Sequence, residues 1–92
     1  MELFPEHAAM IWPAQVRAAR ALLGLSQAQL AERAGVGLAT VRRVEQSDDE
    51  MRGTVRSIRK LQATLEELGV VFIPRDDEYD CGVRLRRSEG GQ

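Results

Sequence analysis

The chain has 92 residues, 43% of them apolar but only 4% aromatic, and a formal net charge of −1 from 13 basic and 14 acidic side chains. That length fits one small domain with a core of Leu, Val, Ile and Ala, and a stability margin modest enough to make dimerisation an expectation. The lone Cys81 excludes an intramolecular disulfide, Cys81 and the distant His7 are a poor supply of metal ligands, and the apolar runs are too short for a signal peptide or a membrane span.

Residues 1–12, "MELFPEHAAMIW", read as a lead-in in which Pro5 could open a helical turn over Glu6–Met10. Trp12 is expected to pack as a lid on the core. Pro13 suits the first position of a helix, where its missing N–H costs nothing. Val16, Ala19, Leu22 and Leu23 then recur at helical spacing, predicting a first helix over 13–23 that Gly24 stops. Ser26 is the N-cap of a second helix with a buried stripe of Leu30, Ala31 and Ala34, ended by Gly35. A third runs from Leu38 to Gln46 and buries Val41 and Val44 behind Gly37, a weaker cap than Ser or Thr. After a polar loop, Thr54 caps a fourth helix whose Val55, Ile58, Leu61, Leu65 and Leu68 form one apolar stripe up to Gly69. The period then changes. "VVFIP" predicts a strand at Val70–Ile73, "RDDEYDCG" a loop, and "VRLR" a second strand over Val83–Arg86 with Val83 and Leu85 on one face. The tail 88–92 is expected to be disordered.

Charge is segregated along this order. Arg17, Arg20, Arg33, Arg42 and Arg43 against Glu32 and Glu45 give residues 14–46 a local +3, while Asp48–Glu50 and the stretch 74–80 are acidic. Such a distribution can build one basic face on a nearly neutral molecule.

The second and third helices meet the demands of a steep crossing through a short turn. Ala31 is small where the helices cross, Gly35 is comfortable at positive φ, and Val41 is the buried wedge of the second partner. With these residues in register, "LSQAQLAERAGVGLATVRRVE" (Leu25–Glu45), preceded by "RAARALLG", resembles the lambda-repressor/Cro-type, or XRE-like, helix-turn-helix family over residues 14–69. The resemblance implies a mainly α fold: a lambda-repressor-like bundle of about four helices, here with a short C-terminal β-hairpin or dimerisation strands. The domain reading is lead-in 1–12, DNA-binding unit 13–69, β extension 70–87 for dimerisation, and tail 88–92.

The resemblance also implies roles, residue by residue. Gln27 is similar to the residue that bonds a DNA phosphate from a helix N-terminus, and Thr40 to a phosphate-contacting hydroxyl. Leu38, Ala39, Arg42 and Arg43 point outward from the recognition helix into the major groove of double-stranded DNA. Arg43 takes the deeper base-reading position, where a bidentate Arg–guanine contact is the commonest specific one. Arg42 reaches a base or a phosphate, and Leu38 and Ala39 offer apolar contact to a thymine methyl. Gly37 lacks the hydroxyl usual at its position, which leaves its N–H for a phosphate. Arg20 and Glu45 are similar to a structural ion pair joining the first helix to the end of the third. The acidic loop Asp48–Glu50 departs from the family's frequent Gly, Lys and Pro. Either it points away from DNA, or Arg52, Arg56 and Lys60 take over the flanking backbone, with Arg52 and Arg56 favoured.

No Ser/His/Asp set, phosphate-binding glycine loop or pocketed carboxylate pair supports an enzyme, and no cofactor is expected. The reading is a sequence-specific transcription regulator, a repressor acting as a homodimer on a palindromic operator, in a bacterial or phage-like cytoplasm. Val70, Val71, Phe72, Ile73, Val83 and Leu85 would contribute to an intermolecular sheet. The alternative is an antitoxin that binds both operator DNA and a toxin, with a phage-type autoregulator and a pure protein-interaction module as further readings.

Overall fold

A computed structural model describes residues 11–47 and 51–88. The expected turn at Glu6–Met10, the acidic run Asp48–Glu50 and all but the start of the tail lie outside the described residues. Among the described residues, four helices, α1 (Pro13–Leu23), α2 (Gln27–Ala34), α3 (Leu38–Gln46) and α4 (Val55–Glu67), are followed by two strands, β1 (Val70–Ile73) and β2 (Gly82–Leu85).

The helix ends follow the local chemistry. Ser26 Oγ accepts the Gln29 N–H at 3.0 Å while Gln29 Oε1 accepts the Ser26 N–H at 2.8 Å, a reciprocal capping box at the start of α2. Thr54 Oγ1 accepts from the Ser57 N–H at the start of α4. Gly24 (φ 70°) and Gly35 (φ 71°) leave α1 and α2 in the left-handed region, which only glycine enters cheaply. Val36 N then bonds Ala31 O, which closes α2 and aims the chain into α3.

The core joins the four helices and β1: Ile11, Val16, Ala19, Leu30, Ala31, Ala34, Val41, Val44, Leu61, Leu65 and Val70. Two residues expected in apolar stripes are instead exposed. Val55 is 66% exposed because it is the first residue of α4, beyond the surface its neighbours cover. Leu22 is 49% exposed. It lies one heptad beyond Gln15 along the same line of α1, and the hairpin that packs on α1 covers Gln15.

Trp12 is not the lid. Ile11 fills that place in the core, and Trp12 is half-buried with the Arg75 guanidinium 4.2 Å above its ring.

The strands form an antiparallel hairpin within the chain, with Val70 opposite Leu85 and Phe72 opposite Val83. β2 begins one residue earlier than expected and ends at Leu85. Phe72 and Val83 pack against the core, so the hairpin is an integral layer on α1 and α4. Gln15, 2% exposed, fastens it: Nε2 donates to Ile73 O (3.1 Å) and Gly82 O (2.8 Å), and Oε1 accepts the Trp12 N–H.

Candidate nucleic-acid interface

α3 has two chemically opposite sides. Val41, Val44 and Glu45 are buried, and Ala39, Arg42, Arg43 and Gln46 are exposed. At helical spacing the exposed four fall within one arc of the cylinder, flanked by half-buried Leu38 and Thr40. Leu38 packs partly against the core, which gives that side chain a structural reason for being apolar. Gln46 shares the exposed arc with the two arginines, and its end-of-helix position kept it out of the sequence reading.

The crossing that presents α3 is the one its sequence demands. Ala31 is buried at the α2–α3 contact, Gly35 supplies the turn, and Val41 and Val44 are fully enclosed. Gly37, the α3 N-cap, has ordinary extended backbone (φ −74°, ψ 152°) and makes no side-chain cap bond. Thr40 N–H already donates to Gly37 O at 3.0 Å, so the N–H groups of Gly37, Leu38 and Ala39 are the donors that this helix start leaves.

A polar cluster ties α3 to α1 and α2. Arg20 meets Glu45 with two arms, Nε to Oε2 at 2.9 Å and Nη2 to Oε1 at 3.0 Å, and its Nη1 donates to Leu25 O. Donating to the Glu45 carboxylate raises the Arg20 pKa above its ordinary value, against a smaller opposing effect of burial. Gln27 Nε2 also donates to Glu45 Oε1, at 3.0 Å. The side chain expected on a phosphate is therefore half-buried, with its amide turned toward the ion pair. An amide nitrogen carries two hydrogens, so one donor remains for a second acceptor.

Arg17 does something the sequence did not signal. Its Nη1 donates to Glu45 O and Ser47 O at the C-terminal end of α3. No local pattern marks it, because its acceptors lie about thirty residues away.

The flanking cations Arg52 and Arg56 are exposed, as are Arg59 and Lys60 on the same helix as Arg56. Arg56, Arg59 and Lys60 line a shallow open groove with Val55 and Ala63. Elsewhere, the loop between the strands is held by an Asp76 turn and by an Arg75–Asp80 pair at 2.6 Å, with Tyr79 70% exposed at its tip. Of the residues expected to dimerise, Val70 is buried, Phe72 and Val83 face the core, Val71 is half-buried, and Ile73 and Leu85 are exposed. Among the described residues, no group of three His, Cys, Asp or Glu is placed to hold a metal ion, and no helix is long and apolar enough to cross a membrane.

A helix-turn-helix family model matches residues 16–65, more than half of the chain, from the first turn of α1 nearly to the end of α4. No curated protein matches the chain.

Proposed function

The chain belongs to the XRE-type helix-turn-helix family of DNA-binding transcription regulators, and from that premise we propose that it is a repressor acting as a homodimer on a palindromic operator. The observation that carries the reading is α3 itself: one arc buried, the other presenting Arg42 and Arg43 to solvent. In this reading Arg43 donates to guanine O6 and N7, Arg42 reaches a base or phosphate, and Ala39 and the exposed edge of Leu38 meet a thymine methyl. Thr40, Gly37 N–H and the second amide hydrogen of Gln27 hold the phosphate backbone, with Arg52 and Arg56 flanking. Residues 13–69 are the DNA-binding unit and 70–87 the dimerisation extension.

Exposed Ile73 and Leu85 support a second copy at the hairpin, and two-fold symmetry would set the recognition helices ~34 Å apart, one DNA turn. Selection of duplexes from a random pool, followed by binding across a salt series, tests the reading. A palindromic consensus and a steep negative slope of log K on log salt are expected. A flat slope, or no selected duplex, overturns DNA binding. Light scattering that finds a monomer at micromolar concentration overturns the homodimer.

A second reading, an antitoxin that also binds a toxin, is favoured by one feature, the acidic 76–80 loop with Tyr79 at its tip. Co-purification with the product of an adjacent toxin gene supports it, and the absence of such a gene removes it.

A further inference from the structure

α3 is the helix with the least local support. At nine residues it is shorter than the ~12–15 at which an isolated helix becomes even marginal. Its N-cap, Gly37, offers no side chain, and its C-cap, Ser47, is extended (φ −79°, ψ 149°). α1 and α2 instead end on left-handed glycines whose N–H groups return to the helix. A helix end without that turn leaves carbonyls that need donors from elsewhere.

α1 supplies them. Arg17 Nη1 donates to Glu45 O at 2.5 Å and to Ser47 O at 3.3 Å. A half-buried guanidinium at this end also meets the negative pole of the helix dipole. Arg20 lies three residues along the same side of α1 and holds the Glu45 carboxylate. Glu45 is thus fixed through its backbone by one arginine of α1 and through its side chain by another.

We propose that Arg17 is a positioning residue for base reading. It sets the tilt of α3 by donating to the Glu45 carbonyl of its last turn and to the Ser47 carbonyl just beyond it, and it does not act as a phosphate contact, the role a basic residue beside a recognition helix would ordinarily receive. The role rests on the DNA-binding reading above.

Arg17→Lys keeps the charge and loses the planar fork, and Arg17→Gln loses both. Both are compared with the wild type on the selected duplex and on an unselected one, over a salt series, at a temperature where thermal unfolding shows every protein folded. Residual dipolar couplings in the free protein report the orientation of α3 against α1 and α2. Arg17→Gln should bind the selected duplex about tenfold more weakly. Its affinity for the unselected duplex and its salt slope should stay at the wild-type values, and α3 should reorient, with Arg17→Lys between the two. Equal weakening on both duplexes with a slope reduced by about 0.9 identifies a phosphate contact and overturns the proposal. A lower unfolding midpoint with unchanged affinities and unchanged α3 orientation makes Arg17 merely structural and also overturns it. If the wild type binds no duplex, the DNA reading fails on its own, and an unmoved α3 in the dipolar couplings overturns the positioning role separately. Should Arg17→Gln fail to fold, Arg17→Lys carries the same measurements.

Discussion

Arg20 and Glu45 form a two-armed ion pair, at 2.9 and 3.0 Å, in which the Glu45 side chain is only 3% exposed and that of Arg20 24%. A carboxylate so enclosed depends on its partners, because desolvation without pairing is costly. Arg20→Ala should therefore destabilise the fold by about 3 kcal/mol. Replacing both partners with leucine should cost much less, since no buried charge is left behind. Urea unfolding midpoints measure both. A double variant as unstable as Arg20→Ala would show that the pair matters by more than avoiding an orphaned charge.

Arg43 and Gln27 should differ in kind. Arg43 is exposed on the outer arc of α3, while Gln27 has its amide on Glu45 at a helix start. In the proposed complex, Arg43→Ala relaxes discrimination at one base position by ~1–3 kcal/mol. Gln27→Ala weakens all duplexes about equally. Binding of each variant to a panel of single-base operator changes separates the two. A uniform loss for Arg43→Ala would assign it to the phosphate backbone instead.

The turn and crossing were legible because Ala31, Gly35 and Val41 act over a few residues, where spacing in sequence is spacing in space. Periodicity likewise placed each helix, since it gives the angle of each side chain around the axis. It does not give how far the neighbouring surface extends, so Val55 and Leu22 continued apolar stripes past the area that is covered. The polar fastenings were hidden for a different reason. Gln15 acts on carbonyls across the chain at Ile73 and Gly82, and Arg17 on the end of α3. Neither partner is encoded by any nearby pattern. Charge alone placed Arg17 in a basic face that its hydrogen bonds now assign to holding a helix.

Gly37 can be improved. Its backbone is ordinary for any residue, and a Cβ there would meet only Thr40 Oγ1, at 3.9 Å. A serine hydroxyl at this N-cap could accept the N–H of Ala39 or Thr40, so Gly37→Ser should stabilise by a few tenths of a kcal/mol. Gly35→Ser should instead cost ~1 kcal/mol or more, because φ is 71° there. Thermal midpoints moving in opposite directions check the pair. A fall for Gly37→Ser would mean that the N-cap geometry does not admit the side chain.

The loop between the strands should be acid-sensitive. Asp76 Oδ1 accepts the Tyr79 N–H at 2.7 Å and the Glu78 N–H at 2.8 Å, which holds its carboxyl below the ordinary range. Asp80 is also lowered, by the Cys81 N–H and then by Arg75. For a depressed carboxylate, the contribution to folding is present above the unfolded pKa and is lost as pH falls through the folded one. The loop should keep its order at neutral pH and lose it only below the usual carboxylate range. Amide shifts of Glu78 and Tyr79 should follow the Asp76 carboxyl carbon in an NMR titration. A transition at or above the ordinary Asp value would refute this account of the turn.

Gln15 offers the sharpest chemical contrast. Its Nε2 faces two carbonyl oxygens, Ile73 O and Gly82 O, in a buried site. Gln15→Leu removes the donor and the acceptor of Trp12 N–H together, and should destabilise by ~1–3 kcal/mol because these groups lose their partner out of water. Hydrogen exchange should quicken first in β1 and β2. Gln15→Glu changes one nitrogen to oxygen and places a carboxylate against the same carbonyls. Burial and the neighbouring oxygens favour its neutral form, so the pKa in the folded state lies above that in the unfolded state. The folded state then binds more protons, and stability falls as pH rises through that range. Gln15→Glu should accordingly approach the wild-type unfolding midpoint in acid and drop below it at neutral pH. A pH-independent difference between the two proteins would show that the hairpin does not rely on this amide.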